Sequence, residues 1–573
     1  MRMSITLLFV LLLSPLRAAA EERWYIFSIG GTPVGWVTEE TDGLRTRTTV
    51  SARLTRLGKS IVMRFEVATT EDAAGALQTL GYETLLSKQP MRLEVRVEGD
   101  RVRILTPQER IVDRGPDSLL GPVAVARLTS QRLRAAGDRI EYAVFSPELQ
   151  RVAKVRRHLV AMSERPPCGS TPANRVEETI QGLPGPRTLW LDANAVMVGD
   201  SIAGPFGPMS TCRAPKETAL AANGTLPADV YEKTLSTSNV RFADPFAIDR
   251  IVVRVRPRDP SQALPDFSSS NQRVVSPGLI EITRPSRTGK PDASVPGPEF
   301  LEPNALVESA DKEIVRIAKA LTTPDSYETA QALTKWTAEN LTMDAGIVMA
   351  PASELVRDRR ATCMGYATLL ASLARAAGLP ARIVMGYVYY GGIWGGHAWA
   401  EMFVAGRWLP FDGAVFAPGI AGAARLSVGA SSLADGGGSL TGPLSALFGK
   451  VDIETVEYER DGSKTRVETG DRLFEVAGET YVNRGLGLRI KADGWHPERA
   501  GSTWPSTLVV AFRRGDTSIE LHQRPRYPAR PLVNDADAMF TSVDGGTLWV
   551  WAARGPDAAG ALRTFLTRVE RVR

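Results

Sequence analysis

Arg360-Ala361-Thr362-Cys363-Met364-Gly365-Tyr366-Ala367, followed by Gly396-His397-Ala398-Trp399-Ala400-Glu401 and Trp408-Leu409-Pro410-Phe411-Asp412-Gly413, organises the 573-residue chain. It supplies a thiol, an imidazole and a carboxylate in that order. After Thr362, a candidate N-cap, Tyr366, Leu369, Leu370, Leu373 and Ala377 recur at helical spacing, and Gly378 with Pro380 supplies the stop. Cys363 therefore falls in the first turn of an apolar helix. There the unpaired backbone N–H groups and the positive end of the dipole favour thiolate over thiol. Position alone does not make a nucleophile, because most cysteines outside disulfides are small core residues.

The imidazole and the carboxylate sharpen the reading. Residues 381–390 are rich in β-branched and aromatic side chains, Gly391-Gly392 breaks the run, and residues 397–404 then pair with 408–411 through a turn at Ala405-Gly406. With Ala405 and Gly406 as a two-residue turn, Val404 opposes Arg407 and His397 falls opposite position 414. Asp412 then shares a face with His397 and lies diagonal to it, within side-chain reach. A carboxylate so placed holds an imidazole in one tautomer while the other ring nitrogen faces the thiol. A three-residue loop without a bulge would instead put the two on opposite faces.

The Cys363 helix, the Gly378-Leu379-Pro380-Ala381-Arg382 turn, the His397 to Glu401 run and the Trp408 to Asp412 ending together resemble the transglutaminase-like core of the papain-type cysteine enzymes. The resemblance covers residues 303–413, about a fifth of the chain. Two positions depart from the family's pattern: Ala361 stands where it has glycine, and Gly413 where it has proline. The resemblance implies Cys363 as nucleophile, His397 as general base and acid, and Asp412 as the residue that orients His397. It also implies thioester chemistry on a peptide or carboxamide, with no cofactor. Hydrolysis is favoured slightly over amine transfer, because transfer needs an acceptor site besides the triad. Protein-glutamine cross-linking is the alternative, and a non-catalytic envelope binding or assembly protein of the same fold is the second.

Other chemistries fit poorly. Cys363 and His397 are 34 residues apart and His397 and Asp412 are 15 apart, without the close pairs of a structural zinc site. The other histidines, His158, His496 and His522, have no ligand spacing, and no Gly-x-Ser-x-Gly elbow lies near His397. The 69 basic and 64 acidic residues give +5, a balance that makes no case for nucleic acid.

The flanks read as scaffold. Residues 1–20 have Arg2, a short apolar run and Ala18-Ala19-Ala20, the layout of a secretory signal peptide. Its removal takes Arg2 and Arg17 and brings +5 to +3. An exported, periplasmic or secreted protein is expected, with no transmembrane anchor and with a peptide or protein partner, envelope polymers included. Of the three cysteines, Cys168 and Cys212 are expected to form a disulfide and to leave Cys363 as a thiol, although spacing alone also allows two surface thiols.

The expected fold class is α+β: a central transglutaminase-like (papain-like) core between an N-terminal antiparallel β domain and a small C-terminal α/β domain. The boundaries expected are 21–246 for the β-rich domain, 247–303 for a β connector, 304–460 for the core and 471–573 for the C-terminal domain. A hairpin at residues 91–104 and a helix over 122–136 are expected in the first. In the core, helices over 308–321 and 326–341 precede the Cys363 helix, and 427–443 forms a flexible crossing around Gly436-Gly437-Gly438. A closing helix presents Leu562, Phe565, Leu566 and Val569 on one face. Trp336, Tyr387, Tyr389, Tyr390 and Trp394 read as core aromatics in preference to a substrate platform.

Overall fold

The computed structural model describes residues 21–571 apart from 57–58, 87–90, 106–108, 170, 184, 205–206, 223–234, 243, 293, 345–348, 391, 416, 435–439, 441–446, 468–473, 478–479, 484–486, 500–507, 526–535 and 545–546. The expected signal segment 1–20 and the Gly436-Gly437-Gly438 run lie outside the described residues. Most of the described chain is β-strand, in several sheets, with a transglutaminase-like core.

Residues 21–213 build one 14-stranded antiparallel sheet. Eight strands, from Glu21–Ile29 to Glu109–Asp113, lie side by side in chain order, and six more run from Arg139–Ser146 back to Gly207–Arg213. The last strand pairs with the first, Tyr25 opposite Arg213, so the sheet is two meanders joined at a seam in its middle. Alternation sets one face inward: in Met91–Glu98, Leu93 and Val95 are buried between exposed Arg92, Glu94 and Arg96. The helix between the meanders, Pro122–Arg132, is shorter than expected. The N–H groups of Arg134 and Ala135 turn instead to the Asp138 carboxylate, each at 2.8 Å, and Gly137 N–H bonds Leu159 O. Cys168 and Cys212 form a disulfide with their Cα atoms 5.4 Å apart.

In the core, helices Lys312–Leu321 and Ser326–Asn340 each start at an aspartate, and these N-caps fix the starts. Asp311 accepts from the N–H groups of Glu313 and Ile314, which is why the first helix begins at 312 and not 308. Helix Cys363–Ala376 is buried from Met364 to Arg375, and Gly378 closes it at φ +81°. It packs against a five-stranded sheet in which Arg407–Phe411, Ile393–Val404, Ala381–Tyr390 and Arg425–Ser431 stand side by side.

The last of these strands corrects the reading of a flexible crossing for its first part, residues 427–431; residues 435–439 and 441–443 of that stretch lie outside the described residues. Leu426 and Val428 are buried, and the Gln272 amide clamps the Ser427 backbone, donating to its carbonyl at 3.0 Å and accepting from its N–H at 2.5 Å. Strand Ile248–Pro257, expected in a connector, lies between Leu279–Thr283 and Val451–Arg460 in a second five-stranded sheet. Its Ile251 and Val253 share one buried cluster with Leu369 and Leu370 of the Cys363 helix.

The C-terminal residues form a four-stranded and a five-stranded antiparallel sheet with helix Ala558–Leu566. Leu562 and Phe565 pack with Trp495, Phe512 and Trp551. Val569 does not share the helix face: the helix stops at Leu566, and Val569–Arg571 is a strand paired with Leu488–Lys491.

Candidate active site

Thr362 precedes the helix in extended conformation, with φ −87° and ψ 177°. Its hydroxyl makes no cap bond and is buried without a partner among the described residues. Cys363 is thus the first helical residue, at the positive end of a 14-residue helix, and it is partly exposed.

The hairpin that carries the imidazole has the register expected from a two-residue turn. Ala405 and Gly406 both have positive φ, 51° and 77°, as such a turn requires, and Val404 opposes Arg407. Pairing continues to Ala400 opposite Phe411, and Asp412 is the first residue past it. His397 Nε2 lies 2.8 Å from Asp412 Oδ2. His397 also hydrogen-bonds the Cys363 side chain, for which its other ring nitrogen, Nδ1, is available. The three side chains are therefore together, in the order thiol, imidazole, carboxylate.

Asp412 is held on both oxygens. Oδ1 accepts the N–H groups of Ala414 and Val415, both at 2.9 Å, and Oδ2 accepts Arg425 Nη2 at 2.9 Å beside His397. Arg425 also donates to Val415 O at 3.3 Å. Burial works against charge on Asp412, yet His397 and Arg425 hold its carboxyl well below the usual range. Burial likewise opposes the imidazolium, but the Asp412 carboxylate and hydrogen bonds to Asp412 and Cys363 push His397 up to about 9. Both shifts favour a charged imidazole beside a charged carboxylate, next to the partly exposed Cys363.

Arg425 was not found by reading the sequence. The signal for it is indirect: Gly386 interrupts the β-branched run 381–390 directly opposite both His397 and Ser427. A Cβ there would strike the carbonyl oxygen of Leu426, so the glycine marks the close approach of the strand that carries Arg425.

The neighbouring aromatics are mostly structural. Tyr387, Tyr389 and Trp394 are buried in the core cluster, whereas Trp336 is only half-buried and lies under the Arg359 guanidinium at 4.7 Å. Trp399 faces the His397 ring, with centroids 6.3 Å apart and planes 21° from parallel. Glu401 is buried and paired with Arg382 at 2.6 Å, so it ties two strands together. Among the described residues, no group of three or more His, Cys, Asp or Glu could hold a metal ion.

Residues 315–413 match the family model described as the Transglutaminase-like superfamily. No curated protein matches the chain. Solved structures to which it is similar include a Cytophaga hutchinsonii protein assigned as a cysteine protease, at 16% identity and TM-score 0.23, covering 41% of this chain and 86% of that one. Another is a beta-barrel-like protein of domain of unknown function DUF1849 from Brucella abortus, at 14% identity and TM-score 0.28, covering 35% and 97%. The periplasmic domain of TgpA from Pseudomonas aeruginosa matches at 16% identity and TM-score 0.20, covering 30% and 66%.

Proposed function

We propose that the protein is a cysteine-dependent enzyme that cleaves a peptide or carboxamide bond through a thioester, with Cys363 as nucleophile, His397 as general acid and base, and Asp412 as its orienter. The observation that carries this reading is the buried His397–Asp412 pair at 2.8 Å, with His397 also hydrogen-bonded to Cys363 at a helix N-terminus. The Cys363 thiolate adds to the carbonyl carbon, and backbone N–H groups of the first helical turn face the oxyanion. The C–N bond breaks as the imidazolium gives its proton to the leaving amine, which leaves a thioester and a neutral His397. Water then adds to the thioester and passes a proton to His397; the thiolate departs and the acid is released.

A primary amine in place of water would give cross-linking. Hydrolysis is preferred because water needs no binding site of its own, whereas an amine must be held and water kept out. A Cys168–Cys212 disulfide belongs in an oxidising compartment, and among the described residues no helix is long and apolar enough to cross a membrane. The disulfide supports an exported enzyme, and an envelope peptide or protein is the substrate class we assign to it.

The test offers glutamine-containing peptides with a labelled primary amine and compares label incorporated with ammonia and new amino termini released. Release should dominate, and Cys363→Ala should abolish it. Incorporation that dominates at low amine concentration would replace hydrolysis with cross-linking. Unchanged turnover in Cys363→Ala would remove the enzyme reading and leave a binding protein of this fold.

A further inference from the structure

Arg425 sits in strand Arg425–Ser431, which borders Ala381–Tyr390; the His397 strand is one further along, and Asp412 follows the strand beyond that. Its guanidinium nevertheless reaches the far end of this row. Arg425 Nη2 and His397 Nε2 meet the same oxygen, Asp412 Oδ2, at 2.9 and 2.8 Å. All three residues are nearly closed to solvent, at 5%, 6% and 4% exposure for Arg425, His397 and Asp412. The guanidinium Nε is buried without a partner among the described residues, so Arg425 gives up hydration that the site only partly replaces. A cation buried at that cost beside a reactive pair calls for an account beyond packing.

We infer that Arg425 is a positioning residue: by sharing Asp412 Oδ2 with His397, it divides the carboxylate's pull between two cations and so sets how tightly the imidazolium is held. This rests on the acyl-transfer reading of Cys363 and His397. In each cycle His397 must give up its proton to the leaving amine and take one back from water. A buried carboxylate facing the imidazolium alone would favour the charged ring too strongly for easy release. A guanidinium, which does not deprotonate in proteins, offsets that pull at every working pH. Arg425 also bonds Val415 O, and Val415 N–H in turn holds Asp412 Oδ1, so one side chain fixes the carboxylate and the loop that cradles it.

Besides each other, the titratable and charged groups that bear most on His397 and Asp412 among the described residues are Cys363, from the helix, and Arg425, from its strand. Gly386, opposite His397, contributes no side chain.

The test needs no substrate. The rate of Cys363 alkylation by iodoacetamide is followed across pH in the full chain, for wild type, Arg425→Gln and Arg425→Lys, with thermal unfolding as a check on folding. Wild type should show a reactive plateau bounded by an acid limb, where the pair forms, and an alkaline limb, where His397 loses its proton. Arg425→Gln keeps a donor but removes the charge, and its alkaline limb should move up by about one pH unit. Arg425→Lys should keep the limb near the wild-type position. Limbs that stay in place in Arg425→Gln, whatever happens to the rate, would overturn the inference, as would an equal shift in Arg425→Lys. Loss of cooperative unfolding in Arg425→Gln alone would also overturn it, since the cation would then serve the fold. A wild-type profile with one inflection at the pH of an ordinary thiol would instead remove the catalytic reading of Cys363.

Discussion

Asp412 is the most constrained side chain of the site, with four hydrogen bonds closing on two oxygens. Substituting Asp412→Asn keeps the volume but puts an amide where the carboxylate accepted from His397, which favours the wrong imidazole tautomer. Turnover should fall on the order of 10³- to 10⁴-fold with little change in KM, measured on the substrate that the peptide assay identifies. The same pair also shapes stability against pH. His397 is raised from 6.5 to about 9 by folding, so its contribution is complete below about pH 6.5 and is lost as pH rises through about 9. Asp412 is depressed, so its contribution is present above its ordinary value of 3.8 and is lost as pH falls towards its lower folded value. Unfolding temperature should be flat between these windows and should decline from about pH 6.5 to 9. His397→Gln should flatten that decline; an unchanged slope would place its origin elsewhere. These three residue types and their order are legible in the sequence, because helix caps and strand alternation are local. Arg425 is not, because it acts across two intervening strands and no spacing rule links it to Asp412.

At the scale of elements, what could be read depended on how local the deciding contact was. The hairpin register followed from Ala405-Gly406 alone, and the structure has that register. The strand Arg425–Ser431 was hidden by the small residues around it, since its place is fixed by Gln272, 155 positions away, and by the gap at Gly386. That gap can be tested. In Gly386→Ala the new Cβ meets the backbone carbonyl of Leu426, which cannot swing aside, so the two strands must separate. We expect a loss of about 1–3 kcal/mol in chemical denaturation, together with lower alkylation reactivity at Cys363. Gly429→Ala in the neighbouring strand is the control: its Cβ meets only Leu440 Cδ2, at 3.3 Å, the end of a flexible side chain. It should cost clearly less. Equal losses would show that the Gly386 approach is not what holds the Arg425 strand.

At the scale of the molecule, the long-range ties are the disulfide and the sheets that join distant segments. The Cys168–Cys212 bridge closes a loop 44 residues long, and removing it by a double alanine substitution should cost about 2–4 kcal/mol, read from the shift in denaturation midpoint. A chain cut at the boundaries suggested by composition tests the second tie more severely. A fragment of residues 304–460 would carry the thiol, imidazole and carboxylate but would lose strands Ile248–Pro257 and Leu279–Thr283. Val451–Arg460 would then lack the partner along its length, and the cluster would lose Ile251, Val253, Ile280 and Ile282, each fully buried. At about 1.5–3 kcal/mol for each aliphatic side chain, that loss approaches the whole stability of an ordinary domain. Starting the fragment at 235 and ending it at 467 restores those strands and one further stitch. Ser236 pairs with Trp394, and the Asn239 amide both accepts from and donates to the Thr455 backbone, at 2.7 and 2.8 Å, which binds the two core sheets to each other. The longer fragment should therefore unfold cooperatively and keep the pH profile of Cys363 alkylation, while 304–460 should be insoluble or show no transition. Cooperative unfolding of 304–460 with a native alkylation profile would make 247–303 a dispensable connector and overturn this account of the core.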